Sequence, residues 1–234
     1  MQYVRKMRHL LKGVFGMCVF LCSIASIAGA SLSGEAPHLN IGDKWQFKKH
    51  ELKGDKLSTQ SQVVTEKTDD GLFWIFIENF TNGNKNWWLF DEFKNAAVKQ
   101  YYFNSSSANL RGRLRTEKKD PVRIQFPLAI GKKYSLVEHW TNEIGEGVSQ
   151  YAVQVTGIER IETEAGTFDA WKLQIDGKWS LTNDPSQKGI TKGQIWYSPE
   201  VKRIVKQIFN GYQDGRLNNQ ITFELQKWTP GSVK

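Results

Sequence analysis

Beyond residue 40 the chain keeps a period of two: apolar and polar side chains alternate in short runs, and a 3.6-residue helical period is almost absent. In ITFELQK, Ile221, Phe223 and Leu225 share one face while Thr222, Glu224 and Gln226 share the other, which is a strand with one wet side. YAVQVTGI at 151–158 and WKLQI at 171–175 follow the same scheme, and WYSPEVKRIVKQ at 196–207 reads as strand, Ser-Pro-Glu turn, strand. Turn signals at Lys53-Gly54-Asp55, Asp69-Asp70-Gly71, Thr81-Asn82-Gly83-Asn84, Glu143 to Gly147, Ala165-Gly166 and Asn210-Gly211 divide the remainder. The pattern predicts an all-β fold, an antiparallel β-barrel or strongly curved half-barrel of roughly ten to twelve strands. LFWIFI at 72–77 is apolar on both faces, so it must be covered on both sides or present one face to a cavity.

The first thirty residues obey a different rule. Arg5, Lys6, Arg8 and Lys12 form a basic head, Gly13 to Ile27 is nearly all apolar, and Ala28-Gly29-Ala30 has the small-x-small form of a cleavage site. Residues 1–30 are therefore expected to be a secretory signal peptide, with an uncleaved anchor as the alternative. Residues 31–234 then form a single β-barrel-like domain with no integral membrane segment, in the periplasm or outside the cell. Met17 precedes Cys18 and Leu21 precedes Cys22, where lipid attachment needs a small residue. The mature chain then holds no cysteine, which excludes disulfides and thiolate metal sites. Of 32 Lys and Arg four leave with the leader while all 24 acids stay, so the net charge falls from +8 to +4. That balance, with export, argues against a nucleic-acid partner.

Two strings recur in the same order. IGDKWQF at 41–47 matches IGKKYSL at 130–136, and WLFDEFKNAAVKQ at 88–100 matches WYSPEVKRI-VKQ at 196–207 with one gap, setting Trp88 against Trp196. The expectation is two related halves, about 40–104 and 129–210, around one body. Short matches among hairpins also arise by chance.

EAGTFDAWKLQIDG at 164–177, the following KGQIWYSPEVKRIVKQ and PLAIGKKY at 127–134 resemble the signature of exported bacterial domains of unknown function, the DUF3108 and TapB-like group. The resemblance covers Pro127 to Tyr212 and implies an antiparallel barrel-like or half-barrel fold in the cell envelope, with no established activity. The first half matches more weakly, since Phe90-Asp91 stands where the turn has Ser-Pro.

No local motif for catalysis is present. HExxH, GxSxG, GxxxxGK[ST] and GxGxxG are all missing, and the three His of the mature chain, at 38, 50 and 139, are isolated. No catalytic residue, metal or cofactor is expected, and the protein reads as a non-enzyme. Glu138 and His139 point to opposite faces if extended. The acids Glu159, Glu162 and Glu164 fit a solvated hairpin end better than a glycosidase pair. Arg111, Arg113 and Arg115 lie on one strand face and form a candidate anion patch, or else protect an edge strand. Trp87, Trp140 and Trp179 fall outside the internal matches and are the candidate ligand-stacking residues. These features suggest binding of a lipid or other apolar or amphiphilic envelope ligand, with LFWIFI presenting one face to the cavity. The alternatives are an interaction module for an envelope protein partner and, with least support, a saccharide-active enzyme.

Overall fold

A computed structural model describes residues 32–93, 96–103, 113–114, 123–142 and 145–232, with 99–103, 113–114 and 141–142 given as backbone. The expected leader lies outside these residues. Every regular element described is a strand: β1 (Lys44–Glu51), β2 (Lys56–Lys67), β3 (Phe73–Asn79), β4 (Lys85–Asp91), β5 (Ala96–Phe103), β6 (Arg113–Leu114), β7 (Lys133–Asn142), β8 (Gly145–Thr163), β9 (Gly166–Leu181), β10 (Lys188–Ser198), β11 (Arg203–Gln213) and β12 (Arg216–Thr229). They form one antiparallel sheet in the order β6-β5-β4-β3-β2-β1-β12-β11-β10-β9-β8-β7. The chain starts mid-sheet, walks out to one edge, crosses to the other and walks back, so its first and last strands pair. The curved sheet stays open, because β6 and β7 are not hydrogen-bonded to each other.

Direct cross-strand partners share a face, and this register defines the inner side. It carries Trp45, Phe47, Val64, Phe73, Ile75, Ile77, Phe90 and Leu225 in one core cluster and Val153, Val155, Leu173, Ile175, Ile195 and Tyr197 in another. LFWIFI is thereby split: Phe73, Ile75 and Ile77 are at most 2% exposed, while Trp74 and Phe76 lie half-buried on the outer side. The expectation that this run lines a cavity is corrected, because close packing of the inner residues leaves them no open space.

Strands six apart share irregular features. Gly42 donates to the Val64 carbonyl at 2.8 Å and Val64 to that of Asp43 at 2.9 Å; Gly131, Val155 and Lys132 repeat both bonds at 2.8 and 2.9 Å. Gly42 and Gly131 both adopt left-handed φ, 91° and 86°. One unpaired residue bulges at Thr65 between β2 and β3 and at Thr156 between β8 and β9; the same occurs at Val98 between β4 and β5 and at Val205 between β10 and β11. Asp91 pairs with Ala96 and Ser198 with Arg203, so the intervening loops have equal length and the two segments superpose without a gap. That register sets Leu89, not Trp88, against Trp196. Ahead of its gap the string match is one residue out, while the closing Val-Lys-Gln stays in register, and a one-residue slip reverses the face. Trp88 pairs with Ile75 on the inner side, whereas Trp196 pairs with Lys172 on the outer side.

The far end of the β8–β9 hairpin reaches β11 and β12. The Trp196 indole N–H donates to Glu159 at 2.8 Å, Lys172 pairs with Glu159 at 2.7 Å, and Gln226 donates to Glu164 at 2.8 Å. The bonds from Lys172 and Trp196 hold the Glu159 carboxyl below its ordinary 4.5. Because the folded group is the stronger acid, its contribution is complete above that value and vanishes as pH falls through the folded value. The difference in melting temperature between the parent chain and Glu159→Gln is therefore expected to close as pH falls below the ordinary 4.5. A difference that persists unchanged into strong acid would refute a stabilising role for the Lys172 and Trp196 bonds to Glu159.

Candidate functional site

Alternation along β7 to β12 brings a set of side chains onto the inner face beyond the packed core. One cross-strand row is Leu136, Tyr151, Gly177, Thr191; the next is Val153, Ile175, Gly193, Phe209, Ile221. Glycine recurs because aromatic rings lie across the neighbouring backbone. A Cβ at Gly177 would stand 2.4 Å from the Tyr151 ring, and one at Gly193 would stand 2.3 Å from the Phe209 ring. No side chain fits there, so these rings lie low on the sheet and open a groove of about 260 Å³. Arg123, Leu136, Tyr151, Ile175, Phe209 and Ile221 line it, together with Thr191 and Gln207.

Arg123 reaches this groove from the segment before β7, which is tied down locally. The Tyr134 hydroxyl donates to the Arg123 carbonyl at 2.6 Å, and Lys132 Nζ donates to the carbonyls of Gln125 and Pro127 at 2.6 and 2.8 Å. Burial pushes the Tyr134 hydroxyl up to about 12, so it remains a proton donor at any physiological pH. The Arg123 guanidinium pairs with Glu138 at 3.2 Å and lies 5.7 Å from the Phe209 ring centre. Burial also raises Tyr151 above its ordinary value, opposed by a hydrogen bond with Ser149. The groove therefore has an apolar, aromatic floor and an ion pair, Arg123 with Glu138, at its wall.

Of the three candidate tryptophans the fold brings two together. Trp140 and Trp179 meet edge to face at 6.2 Å, each lying over a glycine of the adjacent strand, Gly147 and Gly189, and Trp140 donates to Ser149 Oγ at 2.8 Å. Trp179 also borders a second depression of about 620 Å³ with Lys178, Lys188, Ile190 and Tyr212. Trp87 belongs elsewhere: it packs on the outer face against Phe76 at 4.9 Å and Trp74 at 6.4 Å. Arg111 and Arg115 fall outside the described residues, and Arg113 is described only as backbone of β6. Glu138 faces Arg123 while His139 is exposed on the opposite side. Among the described residues no three His, Cys, Asp or Glu gather as a metal site.

Arg123, Tyr151 and Phe209 were not singled out from the sequence. The local signal for the two rings is Gly177 and Gly193 inside strand-like runs, since an interior glycine marks a close approach, whereas Arg123 has none.

No protein-family model matches the chain, and no curated protein does. Solved structures with a related course of strands include a protein designated a lipoprotein from Parabacteroides distasonis ATCC 8503, at 16% identity and TM-score 0.43 over 85% of this chain and 99% of that one. An exported protein, so designated, with a YmcC-like fold from Bacteroides fragilis NCTC 9343 shares 12% identity, TM-score 0.40, over 83% and 99% of the two chains. The hypothetical lipoprotein YmcC from Escherichia coli (K12) shares 9%, TM-score 0.38, over 80% and 85%. Scores this low carry no argument about function.

Proposed function

We propose that this is an exported protein of the bacterial envelope, periplasmic or secreted, related to the DUF3108 and TapB-like domains, which binds an apolar or amphiphilic molecule and catalyses no reaction. The observation that carries the reading is the groove on the inner face: aromatic rings laid on glycines hold open an apolar surface that a packed sheet would fill. The basic head and apolar run of residues 1–30 support export. Native mass spectrometry of protein purified from its own envelope, followed by solvent extraction, tests it. The expected result is a mass adduct that extraction removes and that chemical analysis identifies as an amphiphile. A bare monomer from gentle purification would overturn the reading.

A second reading rests on the outer face, where Trp74, Phe76 and Trp87 gather half-buried on β3 and β4. Such a patch suits an envelope protein partner.

A further inference from the structure

We infer that the groove receives a single-chain amphiphile with an oxyanion head group, carboxylate or phosphate, and that Arg123 is the residue that meets the head. The inference rests on the binding reading above and specifies its ligand. Of the side chains that line the groove, Arg123 alone is charged, and the rest of the floor offers Leu136, Ile175, Ile221 and two rings to an alkyl chain. A guanidinium carries five N–H donors, and the hydrogen bond Arg123 makes with its side chain goes from Nη2 to Glu138. Among the described residues no other acceptor meets the guanidinium, which is 38% exposed beside the Phe209 face and can present its remaining donors to a second acceptor. Planar two-point recognition of oxyanions is what a guanidinium does better than an ammonium. Thr191 and Gln207 line the same groove and can donate to the head as well. The volume of about 260 Å³ falls just below the usual range of small-molecule sites, about 300–1,000 Å³, and suits one chain rather than two.

Isothermal titration of the mature chain with decanoate, decyl phosphate and decanol tests the inference, since the three share a tail. Both anions are expected to bind about tenfold tighter than decanol, the scale of one charge-assisted hydrogen bond. Arg123→Gln is expected to bring them to the decanol level with decanol binding unchanged, and Arg123→Lys to restore part of the preference. The tighter of the two anions identifies the head group as carboxylate or phosphate. Equal binding of all three, or a preference that survives Arg123→Gln, overturns the role of Arg123 and leaves the binding reading in place. No binding by any of the three overturns both. Should Arg123→Gln fold poorly, a salt series on the unaltered chain replaces it: the anion preference must shrink as ionic strength rises, and a salt-independent preference overturns the inference.

Discussion

Asp43→Ala is expected to lower the unfolding free energy by about 3–5 kcal/mol, the range for removing one partner of a buried ion pair. Asp43 has no exposed surface. Its carboxylate accepts from Lys202 Nζ at 2.8 Å, from the backbone N–H of Asn40 at 2.8 Å and from that of Gly231 at 2.7 Å. One side chain thus ties the turn before β1, the β10–β11 turn and the tail after β12. Alanine would strand an ammonium only 18% exposed and two backbone donors. Urea unfolding monitored by tryptophan fluorescence should show a lower midpoint at unchanged slope. A loss below about 1 kcal/mol would mean that water reaches these groups after the substitution.

Trp45→Ala is expected to cost a further comparable amount, about 3–5 kcal/mol for a large ring removed from a packed core. Trp45 is fully buried, stacks on Trp228 at 5.3 Å and donates its indole N–H to the Val201 carbonyl at 2.7 Å. The Arg203 guanidinium lies between it and Phe90, 5.2 and 4.7 Å from the two ring centres. Trp45 and Trp228 are also direct partners across the β1–β12 pairing, which joins strands at opposite ends of the chain. Damage there is expected to loosen both halves at once instead of fraying one hairpin. Trp45→Phe keeps a ring and loses the hydrogen bond, so about 1–3 kcal/mol is expected, the cost of an orphaned buried acceptor. Equal losses for phenylalanine and alanine would assign the effect to the hydrogen bond alone.

Trp45 lies in the recurring string IGDKWQF, yet nothing in that string points to Val201 or Arg203, which approach from the other end of the chain, nor to the buried ion pair of Asp43. The candidate site shows the same division: Trp140 and Trp179 were chosen as unmatched aromatics and do meet, whereas Trp87, chosen on the same ground, sits on the opposite face. Arg123 carried no signal because the segment that holds it has no periodicity, and its place comes from bonds to Tyr134 and Lys132.

The sequence by itself determined the period of two, the turns and therefore an all-β antiparallel chain, because side-chain alternation and glycine or Asx turns are properties of neighbouring residues. Only the tertiary structure decided that the first and last strands pair, that the sheet stays open, which face of LFWIFI is the core and how Trp196 is registered. Those outcomes depend on bulges at Thr65, Val98, Thr156 and Val205, each of which reverses the alternation beyond it, and on contacts between residues far apart in the chain. A groove formed by rings resting on the glycines of adjacent strands exists only once the strands have found their register.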